Sequence, residues 1–309
     1  MQRIDIFSQK GGVGKTSLAI LMAKHFVSKK RNVLIVDADL TGSCIGDAIA
    51  PDLIDPWESI PGLTQLICGS PDLLLDNVAN TPIYWFDPSW TDIDIDKMKI
   101  QPPTGFGICF CPSHLYPDVG SFAKILRALA AHETSGNWVR HVIQMVINQT
   151  RQIVGDEIVV IVDHSPGMAA LQQAALEDIR ANAIERKNSE ELSKLPNNHV
   201  ALMITSADKA DLNMCLWFQE TQEALLSRAN GSTSTKWAKD YYFRFVANNL
   251  AGTPPKDLRK LKNNLSVPKD DLISNANTLG QLAQIAKISK STSTAIAKLC
   301  DWTTDSTKK

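Results

Sequence analysis

A short apolar segment runs directly into a glycine-rich stretch at the start of the chain, and this feature constrains the fold more than any other. Ile4–Phe7 is followed by Lys-Gly-Gly-Val-Gly-Lys-Thr at positions 10–16. A strand that ends in a glycine-rich turn and continues as a helix presents several backbone N–H groups to one anion. We expect Lys15 to reach the β- and γ-phosphates of a nucleotide and the Thr16 hydroxyl to ligate Mg²⁺. The sequence therefore predicts a nucleotide triphosphate site.

The glycine-rich stretch departs from the usual P-loop pattern in one respect. Gln9 stands at the first glycine position of G-x-x-x-x-G-K-[ST], and an additional lysine, Lys10, precedes the glycines. This lysine-first form is the deviant Walker A motif, so the chain resembles the ParA/MinD family of P-loop ATPases. The resemblance implies ATP and Mg²⁺ as ligands. The residues that it assigns to the phosphates are Gly11, Gly12, Val13, Gly14, Lys15, Thr16 and Ser17, with Ser17 at the α-phosphate.

Two later apolar runs end in aspartates. Continuous apolar runs are typical of buried parallel strands, and ligands bind at the carboxyl ends of such strands. Val33–Val36 leads into an Asp-Ala-Asp sequence that ends at Asp39, and Ile158–Val162 leads to Asp163. The resemblance implies that Asp39 orients the attacking water and that Asp163 holds Mg²⁺ together with Thr16.

Two further segments extend the resemblance. The residues after Asp163 read His-Ser-Pro-Gly, similar to the second switch of the family, in which Gly167 lets the backbone move relative to the γ-phosphate. A late apolar strand ends in Asn248 and Asn249. The resemblance implies that one of them bonds the adenine edge, and Asn248 is the better match. Positions 40–42 read Leu-Thr-Gly instead of the frequent Pro-Gln-Gly, a departure from the chromosome-partition members.

Strand and helix patterns alternate along the chain. This alternation predicts an α/β fold, a doubly wound, mostly parallel sheet with helices on both faces, forming a single P-loop NTPase domain over residues 1–309. Beyond the first strand, the patterns predict strands at 33–37, 107–111, 158–162, 199–205 and 241–247. They predict helices at 16–29, 122–131, 138–154, 169–183 and 210–229.

The resemblance places Asp39 in the first switch of the family, and residues 51–104 form an insertion directly after this switch that does not follow the alternation of strands and helices. The segment is rich in proline and aspartate, and an elaboration of this length is rarely an empty loop. Its tryptophans, Trp57, Trp85 and Trp90, have two interpretations. They either anchor a protein partner at the surface or form the core of a subdomain.

The chain from residue 253 has a different character. A basic cluster favours a weak, sequence-independent contact with duplex DNA, although a solvated helix face has the same pattern. Residues 270–309 form a predicted C-terminal helical tail, and the apolar spacing from Leu279 to Trp302 is amphipathic. A terminal helix packed on the domain and a membrane-surface helix both have this spacing. The basic residues are Lys256, Arg259, Lys260, Lys262 and Lys269.

Composition narrows the setting of the protein. The net charge of −1 gives no general basic field for nucleic acid. The sequence contains neither a leader-like basic and apolar start nor about 18 consecutive apolar residues, so we expect a cytoplasmic location. The six cysteines are scattered and form no C-x-x-C pair, which predicts buried reduced thiols and argues against an iron–sulfur site.

The resemblance implies a mechanism and a function. Lys10 would reach the nucleotide of a second subunit and offset transition-state charge, which makes Lys10, Lys15 and Asp39 the catalytic residues. We expect an ATP hydrolase that forms a homodimer in the ATP state and turns over slowly until a protein partner activates it. It would position or partition DNA or another large cargo. The alternative is a nucleotide-gated regulatory or targeting ATPase that binds a protein through residues 51–104. A metabolic P-loop enzyme would need a small-molecule pocket that the sequence does not identify.

Overall fold

The structure, a computed structural model, describes residues 1–40, 62–68, 83–86, 107–111, 137–167, 170–189, 199–229, 243–251, 256–261, 264–274 and 288–304. The strands are β1 (Gln2–Ser8), β2 (Asn32–Ala38), β3 (Tyr84–Phe86), β4 (Ile108–Cys111), β5 (Ile158–His164), β6 (His199–Thr205), β7 (Phe243–Leu250) and β8 (Asn264–Pro268). The α-helices are α1 (Lys15–Ser28), α2 (Leu63–Cys68), α3 (Asn137–Val154), α4 (Ala170–Asn188), α5 (Lys209–Ala229), α6 (Asp271–Ser274) and α7 (Lys290–Thr304). A 3₁₀ helix covers Lys256–Lys260.

The strands form one sheet in the order β3-β4-β2-β5-β1-β6-β7-β8. Among the described pairs, β3 and β4 run antiparallel and all the others run parallel. β1 lies in the middle, with β5 on one side and β6 on the other. The chain winds away from β1 in both directions, and such a switch point opens a crevice for a ligand at the carboxyl ends of the strands. The predicted α/β fold with a mostly parallel, doubly wound sheet is confirmed.

Helices cover both faces of the sheet because the strands are apolar on both sides. Ile4 and Ile6 of β1 share one core cluster with residues of α1 and α7. Leu34 and Val36 of β2 point to the opposite face and pack with residues of α3. On the same face of the sheet as α3, side chains of β6 and β7 pack against α4 and α5. All seven positions of β5 are buried, as expected for a central parallel strand.

The C-terminal part of the chain completes the domain. β8 pairs with β7, and α7 packs against β8 and α1. The guanidinium carbon of Arg244 in β7 lies 4.0 Å from the ring centroid of Trp302, and the Gln2 side chain donates a hydrogen bond to the carbonyl of Thr303. α7 is therefore a terminal helix packed on the domain, which is one of the two interpretations of its amphipathic spacing. Its buried apolar side chains are Ile296, Leu299 and Cys300.

The predicted elements agree with the structure where it can be compared, with shifted ends. The predicted strand 33–37 is β2, and the predicted strand 241–247 is β7, which begins and ends later. The predicted helix 169–183 continues to Asn188 as α4. The sequence patterns do not predict the two edge strands, β3 and β8. The predicted helix 122–131 lies outside the described residues.

Two described pieces of the insertion, α2 and β3, belong to the main core. Leu63, Ile67 and Trp85 are buried in the cluster that includes α3. Trp85 is 3% exposed, so its side chain serves the core and is not a surface anchor. Trp57 and Trp90 lie outside the described part of the chain.

The basic cluster is partly neutralised by neighbouring carboxylates. Lys260 Nζ lies 2.7 Å from Asp257 Oδ1, and Lys269 Nζ lies 3.6 Å from Asp271 Oδ1. Lys262 is outside the described ranges. The local charge of this segment is thus smaller than its count of lysines suggests.

Four of the six cysteines are buried in the structure, in agreement with the prediction of buried thiols. Cys109, Cys111, Cys215 and Cys300 are buried thiols, and burial raises the pKa of each. Cys44 and the side chain of Cys68 are outside the described residues. Within the helices that the structure describes, none is both long enough and apolar enough to span a membrane.

Candidate nucleotide-binding site

The loop between β1 and α1 has the backbone shape of an anion cradle. Gly12 and Gly14 have φ values of 75° and 85°, in the left-handed region that favours glycine. Gly14 caps the N-terminus of α1 without a side-chain hydrogen bond, so the first N–H groups of the helix remain available to a bound anion. A Cβ on Gly14 would lie 2.4 Å from Nδ2 of Asn248, which leaves room for glycine alone.

Thr16 and Asp163 meet directly in front of this loop. Thr16 Oγ1 donates a hydrogen bond of 2.5 Å to Asp163 Oδ2, although the two residues are far apart in the chain. Asp163 is fully buried, and its second oxygen, Oδ1, has no hydrogen-bond partner among the described residues. A buried carboxylate oxygen without a partner beside a hydroxyl is a fitting site for a hard divalent cation.

The electrostatics of Asp163 support the same assignment. Burial, together with the nearby Asp39 carboxylate, raises the pKa of Asp163 to about 6, against the opposing effects of the Thr16 hydrogen bond and the Lys15 charge. A bound cation would stabilise the ionised form of Asp163, which burial disfavours. Lys15 is itself buried, with 6% of its surface exposed, and its charge acts on the Asp163 carboxylate, so it belongs to the interior of the site.

The ends of β2 and β5 bring two more polar segments to this edge. The backbone N–H of Asp39 donates to Asp37 Oδ1 at 3.1 Å, and Asp39 is buried. Gly167 has a φ of 93°, and its N–H donates to the carbonyl of Ser8 at 2.8 Å. Ser165 Oγ donates to the carbonyl of Ala38 at 3.3 Å. The segment after Asp163 is thus tied to both neighbouring strands.

Asn248 braces the loop from the other side and borders a cavity. Its Nδ2 donates to the carbonyl of Val13 at 3.0 Å. The cavity has a volume of about 180 Å³ and extends from the loop along α1 towards β8 and α6. Its lining residues include Ser17, Asn248, Val267, Pro268, Asp270 and Ile273.

Lys10 does not join this group. Its Nζ lies 3.8 Å from Asp211 Oδ1 on α5, and its side chain is 61% exposed. The Asp211 carboxylate also accepts a hydrogen bond from the Ser206 hydroxyl. The structure therefore leaves Lys10 at the outer rim of the loop, whereas Lys15 lies inside the site.

Residues 4–199 match the family model described as the CobQ/CobB/MinD/ParA nucleotide binding domain. The chain belongs to this family. The match covers more than half of the chain and includes the loop, Asp39 and Asp163. No curated protein sequence matches the chain at a significant level.

Solved structures with the same fold agree with the CobQ/CobB/MinD/ParA assignment. The septum site-determining protein MinD from Pyrococcus horikoshii, complexed with Mg-ADP, has a TM-score of 0.57 and 16% identity, covering 97% of this chain and 95% of that chain. The ATP complex of Cyanothece McdA(D38A) has a TM-score of 0.57 and 15% identity, with coverages of 98% and 96%. A ParA family ATPase from Chlorobium tepidum has a TM-score of 0.51 and 14% identity, with coverages of 97% and 98%. At these identities, the similarity establishes the fold.

The cavity residues beyond Asn248 are the part of this family member's site that sequence reasoning missed. Val267 and Pro268 end the unpredicted strand β8, and Asp270 follows them. Asp270 accepts hydrogen bonds from the N–H groups of Leu272 at 3.1 Å and Ser289 at 2.7 Å. An aspartate at the start of a short helix is a recognisable turn signal, and the sequence Pro-Lys-Asp-Asp carries it.

Proposed function

We propose that the protein is an ATP hydrolase that acts as a dimerising switch and positions or partitions DNA or another large cargo. The observation that carries this proposal is the 2.5 Å contact between Thr16 and the buried Asp163, whose second oxygen faces no partner in the described part of the chain. Family membership supports it, as do the bound nucleotides of the MinD and McdA structures. Activation by a protein partner and a cytoplasmic location belong to the same proposal.

The described residues divide the work at the phosphates. The N–H groups from Gly11 to Thr16 bind phosphate oxygens, and Lys15 neutralises part of their charge from inside the site. Thr16 and Asp163 would hold Mg²⁺, which when bound withdraws charge from the phosphoryl group. Asp39, at the end of the neighbouring strand, orients the attacking water. Ser17, on the cavity side of α1, contacts the α-phosphate.

Asn248 gives the site a preference for adenine. Its NH₂ group faces the Val13 carbonyl, so its own carbonyl oxygen is the end that can accept a hydrogen bond from a base in the cavity. Adenine presents an amino donor at position 6, whereas guanine presents an acceptor there. Competition of ATP and GTP against a fluorescent ATP analogue tests this point. We expect ATP to displace the analogue at lower concentration, and equal displacement would contradict the proposed orientation.

Lys10 is proposed to act on the nucleotide of a second subunit. It lies outside its own site, and its contact with Asp211 is long, at 3.8 Å, with the lysine side chain 61% exposed, so little stability is lost when the lysine leaves. Lys10→Ala should retain ATP binding and lose ATP-dependent dimerisation or hydrolysis. A cation supplied in this way is worth on the order of 10³-fold or more in rate.

The control for this variant is Asp211→Asn, which releases Lys10 without removing it. Sedimentation velocity in Mg-ATP and Mg-ADP measures dimerisation, and phosphate release measures hydrolysis. Asp211→Asn should retain both activities. Equal hydrolysis by Lys10→Ala and the wild type would exclude a catalytic role for this lysine.

The cargo is tested with plain duplex DNA. Binding should be measured at about 0.15 M salt, because phosphate contacts weaken steeply as salt rises. Asp39→Ala slows hydrolysis and holds the protein in the ATP state. Sequence-independent binding in Mg-ATP but not in Mg-ADP supports DNA as the cargo. Nucleotide binding without DNA binding would remove DNA from the proposal and leave another large cargo.

A further inference from the structure

A cluster of charged and polar side chains occupies the centre of the sheet, where apolar residues are expected. Asp5 of β1 is completely buried. Its carboxylate accepts hydrogen bonds from Arg3 Nε at 2.8 Å, from His164 Nε2 at 2.7 Å and from His199 Nε2 at 2.8 Å. His164 ends β5, and His199 begins β6. The proposed function uses none of these four residues.

The protonation states of these side chains determine which of them donate hydrogen bonds and which accept them. Burial raises the pKa of Asp5, but Arg3 and the two histidine hydrogen bonds outweigh burial and hold it well below its usual value. An ionised carboxylate only accepts hydrogen bonds, so His164 must present Nε2–H to it. Burial lowers the pKa of His164, whose Nδ1 has no partner within the described ranges. The His164 ring stacks on Phe7, with 4.5 Å between centroids.

Stability alone is a poor explanation for such a cluster. Removing two charges from water costs several kcal/mol per ion, and apolar replacements of a buried ion pair are often neutral or stabilising. The unpartnered Nδ1 of His164 adds a further cost. The cluster is better explained if it holds neighbouring residues in particular positions.

The position of His164 indicates which geometry is held. It lies between Asp163, which contacts Thr16, and the segment that ends in the hydrogen bond from Gly167 to Ser8. Asp5 therefore fixes the residue that directly follows the proposed cation ligand and begins the segment leading to Gly167. His199 bonds the same carboxylate from the opposite end of the sheet, where its backbone is in register with Arg3.

We propose that Asp5 is a positioning residue for the nucleotide site. Through His164, Asp5 holds the end of β5. Asp163 then stays in hydrogen-bond contact with Thr16, and the N–H of Gly167 stays bonded to the carbonyl of Ser8 in β1. This inference rests on the proposed Mg²⁺ role of Thr16 and Asp163, and it assigns a purpose to charges that lie outside the site.

The chain offers a matched pair of variants. His164→Phe keeps a ring against Phe7 and loses the bond to Asp5, and His199→Phe loses the equivalent bond away from the site. The double variant Arg3→Met/Asp5→Val replaces the buried ion pair with apolar side chains. For each, thermal unfolding measures stability, and titration of Mg²⁺ gives the concentration for half-maximal ATP hydrolysis. Binding of a fluorescent ATP analogue in EDTA measures the part of nucleotide affinity that does not depend on the cation.

We expect His164→Phe and Arg3→Met/Asp5→Val each to raise the half-saturating Mg²⁺ concentration by about 10–100-fold, the usual effect of losing a residue that orients a metal ligand. Binding in EDTA should be unchanged. His199→Phe should lower the unfolding temperature and leave the Mg²⁺ requirement as in the wild type. Adding His164→Phe to Arg3→Met/Asp5→Val should produce no further shift, because both act through the same contact.

The possible results separate this inference from the proposed function. A wild type without Mg²⁺-dependent nucleotide binding would overturn the proposed function and the inference with it. A wild type with normal Mg²⁺ dependence, and variants that share its Mg²⁺ requirement, would overturn the inference alone. Additive shifts in the triple variant would also overturn it, because His164 would then act independently of Asp5. If Arg3→Met/Asp5→Val fails to fold, the comparison of His164→Phe with His199→Phe decides.

Discussion

Gly14→Ala tests how strictly the backbone of the loop is coupled to the residue that faces the base. Gly14 has a φ of 85°, and a left-handed conformation costs an L-residue about 1–2 kcal/mol. The new Cβ would lie 2.4 Å from Asn248 Nδ2, so Asn248 must withdraw. Withdrawal breaks its 3.0 Å hydrogen bond to the Val13 carbonyl. Losing that bond costs about 1 kcal/mol more, for a total loss of about 2–3 kcal/mol in unfolding free energy.

Gly155 provides a control outside the site, with the same backbone strain and no collision. Gly155, after α3, has a φ of 89°, and a Cβ on it meets no described atom within 4 Å. Gly155→Ala should lose about 1–2 kcal/mol and retain nucleotide affinity, because it lies at the end of α3. The difference between Gly14→Ala and Gly155→Ala isolates the contact with Asn248.

Urea unfolding gives the free energies, and titration with a fluorescent ATP analogue gives the affinities. Gly14→Ala should weaken nucleotide binding because both the helix N-terminus and Asn248 are displaced. In an Asn248→Ala background, the contact with the new Cβ is gone, and Gly14→Ala should cost only as much as Gly155→Ala. Equal unfolding free energies for Gly14→Ala and Gly155→Ala, together with wild-type affinity of Gly14→Ala for the analogue, would contradict a coupling between the loop and Asn248.

Burial and charge give three more expectations. Because the pKa of Asp163 is about 6 in the folded protein against an ordinary value of 3.8, its ionised form destabilises the nucleotide-free protein as pH rises through this window. Asp163→Asn should therefore raise the unfolding free energy near neutral pH by up to about 3 kcal/mol and abolish Mg²⁺-dependent hydrolysis. Urea unfolding should show a smaller gain at about pH 5, and a larger gain there would reverse the sign of the argument. Trp302→Leu removes the ring under Arg244 and should cost about 1–2 kcal/mol, with faster amide hydrogen exchange in α7 and unchanged exchange in α3. Iodoacetamide should label the buried thiols of Cys109, Cys111, Cys215 and Cys300 only after unfolding. Mass spectrometry that finds these cysteines labelled in the native protein would contradict their burial.

The parts of the site that lie on central strands could be predicted from the sequence. β2 and β5 contain continuous apolar runs that lead into an aspartate, and the short apolar end of β1 leads into the glycine-rich loop. Parallel strands share one carboxyl edge, so Asp39 and Asp163 were expected to approach the loop that carries Thr16. The confirmed fold and the observed contact of Thr16 with Asp163 follow from this simple geometry.

The edges of the sheet could not be predicted in the same way. β3 has three residues, and four of the five residues of β8 are only partly buried, so neither produces a periodic signal. The lysines around β8 favour a DNA contact or a solvated helix face, whereas the structure pairs β8 with β7 and packs it against α7. The cavity wall at Val267 and Asp270 depends on those tertiary contacts. The Asp5 cluster needs the register of three strands, which no single stretch of sequence contains.

The central position of β1 has a consequence for how the protein is made. β1 is synthesised before the other strands of the sheet, yet its two neighbours are residues 159–163 of β5 and 199–204 of β6. At translation rates of about 5–20 residues per second, β1 waits roughly 10–40 s for both partners. During this interval, a strand with two unpaired edges is exposed on the nascent chain. Binding by chaperones and aggregation then compete with its correct pairing. The glycine loop is thus the first part of the site to be synthesised and one of the last to acquire its shape.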